Sequence, residues 1–147
     1  MRPILQTVLA AFIAVFVFPL ASAYPIPPAT LWDQSGAAEV IVLADVISVG
    51  QPVCDGKSFC PRVAELRVIE TWKGTAPEKL QVPFVEFICP APARFETGER
   101  VLTFLRRDKG AWSVVNLSYG TLYPTSEELP VIRARVTEAA SLQAKGV

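Results

Sequence analysis

The chain has 147 residues, with 14 basic and 14 acidic side chains and no histidine. This length allows one compact domain and argues against two. The lack of histidine excludes Ser-His-Asp and Cys-His nucleophile systems, and every zinc site that needs an imidazole ligand. The net charge of zero gives no electrostatic reason to expect nucleic acid or an anionic membrane surface as a partner.

Residues 1–23 are typical of a secretory signal peptide. Arg2 precedes the apolar run 8–18, and the small residues Ala21 and Ala23 mark the expected cleavage motif. The run is shorter than the roughly 20 apolar residues that span a bilayer. We therefore predict cleavage after Ala23, a periplasmic or secreted mature chain, and no stable membrane insertion. The alternative is an uncleaved N-terminal anchor, because only one positive charge precedes the run.

Residues 24–37 are predicted to form a proline-rich N-terminal arm. Its first residue, Tyr24, begins the segment 24–28, which contains three prolines. Their fixed φ angles favour an extended, polyproline-like backbone and disfavour the start of a helix. Trp32 is large enough to attach this arm to the rest of the domain.

Residues 38–125 show the pattern of a small β domain. The run 40–49 is β-branched and nearly continuous, as expected of a long and largely buried strand. Apolar and polar side chains alternate over 63–72, which predicts a second strand. A third strand is predicted at 80–84, where Pro83 requires an edge position or a bulge.

The C-terminal part predicts a hairpin, a short strand and one helix. Segments 100–105 and 112–115 flank a turn that contains Asp and Gly, which favour hairpin turns. Residues 120–123 are predicted to form a further short strand. Within 126–147 the apolar period becomes helical, and the helix is expected to begin near Leu129. The predicted fold is mainly β: a small five- to six-stranded OB-like barrel with one C-terminal α-helix.

Several of these segments resemble the netrin-like domain, which also occurs in tissue inhibitors of metalloproteinases. The likeness lies in the long strand 40–50, the segment 66–74 that ends in Trp-Lys-Gly, Cys89, and the glycine-led strand 98–105. A bacterial exported member of this family is implied, with a closed five-stranded barrel that binds proteins through its rim and has no catalytic centre. The metalloproteinase inhibitors of the family bind zinc through an N-terminal cysteine. This chain has no cysteine before Cys54 and departs from that mechanism.

Three cysteines in an exported chain make a disulfide the first expectation. Cys54 and Cys60 enclose a short segment with Gly56 at its centre, which favours a bridge between them and leaves Cys89 as the unpaired thiol. The alternative joins Cys89 to one of the other two cysteines and closes a longer loop, and the sequence does not decide between these pairings. No metal site and no cofactor are predicted.

Asp45 is the unusual residue of the first predicted strand, because it is charged and its neighbours are apolar. We expect its carboxylate to face solvent, since burial of a charge needs compensation. The alternative is an ion pair with an arginine of the barrel, either Arg67 or Arg100.

The features above favour an exported, non-catalytic protein-interaction module, of which protease inhibition is a narrower version. It is expected to bind through the N-terminal arm and the loop closed by Cys54 and Cys60. The candidate interaction residues are Tyr24, Asp55, Lys57 and Phe59. The expected partner is a protein of the cell envelope or extracellular space, and the chain itself is expected to be a monomer or weak oligomer. The alternatives are a small envelope redox protein that uses the thiol of Cys89, and a structural component of an envelope assembly.

Overall fold

The structure is a computed structural model that describes residues 29–54, 56, 60–85 and 93–146. Within these ranges the chain forms two α-helices, six strands and one short 3₁₀ helix. In chain order these are α1 (Leu31–Ala37), β1 (Val40–Val49), β2 (Pro61–Lys73), β3 (Lys79–Val85), β4 (Arg100–Asp108), β5 (Ala111–Val114), the 3₁₀ helix (Leu117–Gly120), β6 (Thr121–Leu122) and α2 (Leu129–Ala144).

The strands form one antiparallel sheet in the order β3-β2-β1-β4-β5, and β6 pairs with β4. The sheet curls into a half-barrel, so that β3 and β5 at its two ends approach each other. This architecture confirms the predicted mainly β fold with a C-terminal helix, and it is consistent with a small OB-like barrel.

The inner face of the half-barrel is built by alternate residues along each strand. On β1 the buried inner residues are Val42, Ala44 and Val46, and on β2 they include Ala64 and Leu66. This is the period of two that strands impose, because successive side chains point to opposite faces. Pro83 lies on β3, which is the edge strand next to β2, as its missing N–H requires.

Bulges interrupt the pairing of β1 with β2 at three places. Ile47 on β1 and Ile69 and Trp72 on β2 are extra residues, because none of them has a residue opposite it on the other strand. A bulge bends its strand and increases the local twist. These interruptions therefore help a sheet of long strands to curl.

The predicted hairpin is formed by β4 and β5, and β4 extends three residues beyond its predicted end. Asp108 is the last residue of β4 and pairs with Ala111. The turn consists of Lys109 and Gly110, whose φ angles are 50° and 86°. Two consecutive positive φ values are the requirement of the tight hairpin turns that fit the twist of the flanking strands.

The outer face of the sheet is partly covered by α2, which begins at Leu129 as predicted. Val136 of α2 is buried in a second core cluster that includes Ile41, Leu43 and Phe104 on the outer face. The turn before the helix is closed by reciprocal hydrogen bonds between Thr125 and Glu128, in which the backbone N–H of Thr125 donates to the Glu128 carboxylate over 2.8 Å.

Helix α1 lies within the predicted arm and was not expected. Its N-terminus is capped by Thr30 and Asp33, which exchange side-chain and backbone hydrogen bonds. Leu31 packs on the second core cluster, whereas Trp32 is exposed beside α2. The contact with the core is thus made by Leu31, while Trp32, which was expected to attach this segment, lies against α2.

Lys73 at the end of β2 links the sheet to α1. Its ammonium donates hydrogen bonds to the backbone carbonyls of Ser35 and Ala38, the latter over 2.7 Å. These carbonyls lie at the C-terminal end of α1, where backbone acceptors lack helical partners and a cation is favourable. Burial lowers the pKa of the Lys73 ammonium.

Candidate functional site

A disulfide joins Cys54 to Cys60 in the connection between β1 and β2. This confirms the favoured pairing and excludes a bond from Cys89 to either of these cysteines. The Cα atoms of the pair are 4.5 Å apart and the residues are six positions apart in sequence. A structural disulfide of this kind is compatible with an exported protein, because the cytosol keeps most thiols reduced.

The predicted interaction residues lie outside the part of the chain that the structure describes: Tyr24, Asp55, Lys57 and Phe59. The same holds for Cys89 and for the predicted signal peptide, 1–23. The chain on either side of these residues still shows where the two segments are attached. The arm leads into α1 before the start of β1, and the disulfide loop follows the end of β1. A strand of 10 residues spans about 30 Å, so the two attachment points lie at opposite ends of it.

The base of the disulfide loop is held by hydrogen bonds that continue the pairing of β1 with β2. The N–H of Gly50 donates to the carbonyl of Val63, and the N–H of Val53 donates to the carbonyl of Pro61, each over 2.9 Å. The Arg62 side chain adds a hydrogen bond of 2.8 Å to the Gly50 carbonyl. The loop therefore leaves the sheet from an ordered platform.

Exposed apolar residues surround this platform. Val53 is 71% exposed and Val63 is 41% exposed. Val63 pairs with Pro83 across the β2–β3 ladder, and both Pro61 and Pro83 are exposed. We call these four residues the apolar patch. A group of exposed apolar residues on one surface is a candidate interaction site.

Farther along the outer face, Asp45 lies between two arginines. Arg67 on β2 and Arg100 on β4 are both directly opposite Asp45 on β1. Their guanidinium groups bind its two carboxylate oxygens over 2.9 Å and 3.1 Å. We call Arg67 and Arg100 the arginine pair. The hydrogen bond from Arg67, with a smaller contribution from Arg100, holds the pKa of the Asp45 carboxyl below its usual value.

The prediction for Asp45 needs correction in one respect. Its side chain is 25% exposed, so it lies at the surface, but it is paired and not simply solvated. Both of the arginines named as alternatives bind it, because the strand order places β1 between β2 and β4. The negative charge of the Asp45 carboxylate is thus balanced by an arginine on each side.

A groove lies between α2 and the outer face of the sheet. This groove has a volume of about 660 Å³ and an apolar floor that includes Leu43 and Leu129. Glu70, Trp72 and Arg133 are joined across it: the indole N–H donates to the Glu70 carboxylate over 2.9 Å, and Arg133 binds the same oxygen. The Arg133 guanidinium also lies 5.4 Å from the centre of the Trp72 ring. These contacts tie α2 to the sheet.

In the part of the chain that the structure describes, no group of three or more His, Cys, Asp or Glu side chains is placed to hold a metal ion. None of the described helices combines the length and apolar character needed to cross a membrane. No protein-family model matches the chain, and no curated protein is significantly similar to it. The resemblance to the netrin-like domain therefore stays a prediction.

The apolar patch was not predicted from the sequence. For Asp45, Arg67 and Arg100 were named as alternative partners, whereas the structure shows that both bind it. A signal for the patch was present, because Val63 falls on the polar side of the alternating segment with Glu65 and Arg67. An apolar residue at such a position is exposed if the alternation holds. The arginine pair has no comparable signal, since it depends on which strands lie next to β1.

Proposed function

We propose that this protein is an exported, non-catalytic interaction module that binds a partner protein through the disulfide-loop end of its half-barrel. The observation that carries the proposal is the apolar patch beside the loop closed by Cys54 and Cys60. Burial of such surface favours association by about 25 cal/mol per Å² of apolar area removed from water, before the costs of association and side-chain ordering are subtracted.

The attachment of the loop also favours binding. A short loop closed by a disulfide and held at its base by three hydrogen bonds has less conformational freedom to lose when a partner immobilises it. The residues between the two cysteines, including Phe59, would then be presented to the partner together with the patch. The arm that begins at Tyr24 would provide a separate contact, since it is attached at the other end of β1.

The proposed setting is the periplasm or the extracellular space, where the disulfide persists. The proposed partner is a protein of that compartment. Inhibition of a protease is the narrower form of this proposal and is supported by the resemblance to the netrin-like domain alone.

The proposal is tested by capture of the partner on mature, oxidised protein beginning at Tyr24, from an envelope extract of its own source, with the retained proteins identified by mass spectrometry. The test variant replaces both exposed valines of the apolar patch, Val53→Ser and Val63→Ser. The matched control is Val131→Ser, because Val131 is also an exposed valine, 56% accessible on α2.

We expect one partner to be retained by the wild type and by the control, and to be lost from the patch variant. Replacement of exposed residues changes the free energy of unfolding by only about 0.5 kcal/mol each, so all three proteins should melt cooperatively at similar temperatures. Equal retention by the patch variant and the control would contradict the proposal. Deletion of residues 24–28 then shows whether the arm adds affinity.

A further inference from the structure

We infer that the arginine pair is a binding site for a carboxylate of the partner, so that the partner presents an acidic segment to the outer face of the sheet. The inference rests on the proposed function, because it names the chemistry of the partner for the face that carries the apolar patch.

The arginine pair is ordered before any partner arrives. Both guanidinium groups are fixed on the Asp45 carboxylate, which lies on the strand between them. Their side chains are still 58% and 54% exposed. Two long side chains normally lose rotamer freedom when they bind an anion, and an arrangement that is already ordered reduces this loss.

The pair also has charge and donors beyond those that Asp45 uses. Two cations face one anion, so the cluster has an excess of one positive charge. Each guanidinium carries five N–H donors in a planar fork, and one oxygen of Asp45 engages each of them. The fork geometry matches a carboxylate, which accepts two parallel hydrogen bonds from an arginine.

The surroundings favour a single carboxylate over a continuous polyanion. Lys79 is next to Arg67 in the register, but its ammonium lies 3.7 Å from the carboxylate of Glu65. Asp45 itself interrupts the row of cations. A nucleic acid or a sulfated polysaccharide needs clustered positive charge to displace its counterions, and two carboxylates within this row would repel it.

The relative positions of the arginine pair and the apolar patch define the partner segment. Val63 and Arg67 lie on the same side of β2, four residues apart, which corresponds to about 13 Å along a strand. An extended peptide that contacts both would carry an acidic residue about four positions from an aliphatic one. The expected ligand is therefore an extended segment with one Glu or Asp and one Val, Leu or Ile at this spacing.

The probe is an acetylated and amidated peptide of Ser, Thr and Gln that contains one Glu and one Val four positions apart. The control peptide has Gln in place of Glu. Binding is measured at low salt by NMR titration of the backbone amides and of the arginine Nε–H signals. The protein variants are Arg67→Gln with Arg100→Gln, and Arg106→Gln as a control, because Arg106 is an exposed arginine of β4 outside the pair.

We expect the acidic peptide to shift the Nε–H signals of the arginine pair and the amides around Val63. Its affinity should fall about tenfold when Glu is replaced in the peptide or when both arginines are replaced, as for loss of a charge-assisted pair. The Arg106→Gln protein should bind like the wild type. Because the ion pairs are at the surface, the double variant should stay folded, which its amide spectrum checks.

Three results would overturn the inference: no binding of the acidic peptide, equal binding of the Gln peptide, or tighter binding of a sulfated oligosaccharide at the same residues. Partner capture separates these failures from a failure of the proposed function. If the partner is lost from the patch variant but kept by the double arginine variant, the proposed function is supported and the carboxylate site is rejected. A partner that neither variant loses rejects the function itself.

Discussion

Helix α1 buries two consecutive polar side chains, Gln34 and Ser35. The Gln34 amide donates to the carbonyl of Ala29 over 3.0 Å. Among the described residues, however, neither Gln34 Oε1 nor Ser35 Oγ has a hydrogen-bond partner. A buried polar atom without a partner costs about 1–3 kcal/mol of stability. These two unpaired polar atoms therefore lower the stability of the folded protein.

Substitution Ser35→Ala should raise the free energy of unfolding by about 1 kcal/mol, because it removes a buried hydroxyl without a partner. Alanine also has a higher helix propensity than serine. Ser141→Ala is the matched control for that second effect, since Ser141 is an exposed residue of α2. Urea unfolding of both variants measures the difference. A gain no larger for Ser35→Ala than for Ser141→Ala would show that the hydroxyl is satisfied in solution.

At the scale of elements, α2 is attached to the sheet by an apolar contact and by one polar cluster. Val136 is buried in the second core cluster, with Leu129 and Ile132 packed against it. Arg133 reaches Glu70 and the face of Trp72. The bulge at Trp72 matters here, because a bulge changes the direction in which a side chain points. The polar cluster thus depends on an irregularity of β2.

Substitution Arg133→Gln should lower the free energy of unfolding by about 1 kcal/mol, the combined size of a surface ion pair and a cation–π contact. The effect should shrink as salt is added, because the ion pair is partly exposed. Arg135→Gln is the control, since Arg135 lies exposed on the same helix. Denaturant unfolding at low and high salt measures both variants. Equal effects of the two substitutions would show that Arg133 does not tie α2 to the sheet.

At the scale of the whole molecule, the regular elements could be predicted because their periodicity is local. A continuous β-branched run located β1, alternation located β2 and β3, and the helical period located α2 with its start at Leu129. Helix α1 was not predicted, because it has only seven residues and follows a proline-rich segment. Its capping residues, Thr30 and Asp33, were the available signal. An isolated helix of this length is not stable by propensity, and it forms here because Leu31 packs on the core.

The candidate site was only partly predictable, since it depends on contacts between distant segments. The pairing of Cys54 with Cys60 could be favoured because it is local. The two partners of Asp45 could not be assigned together, because Arg67 and Arg100 are brought to it by the strand order. A sequence pattern states which side a residue faces, whereas its neighbours on that side follow from the topology.

The acid stability of the molecule follows from three carboxylates whose pKa values are lowered in the folded protein. Asp33 accepts hydrogen bonds from Thr30, Glu128 accepts them from Thr125, and Asp45 accepts them from the arginine pair. A lowered pKa means that the folded state binds a proton less readily than the unfolded state. The stabilisation is therefore complete above the unfolded pKa values of about 4 and is lost as the pH falls through the lower values of the folded state.

We expect the melting temperature to be nearly constant between about pH 5 and 7 and to fall below about pH 4. Thermal unfolding followed by circular dichroism across this range measures the profile. Asp45→Asn should lower the melting temperature at neutral pH, where its two ion pairs are lost, and should make the decline below pH 4 shallower, because one titrating carboxylate is gone. An unchanged slope would show that the pKa of Asp45 is the same in the folded and the unfolded protein, and therefore that its ion pairs with Arg67 and Arg100 add no net stability.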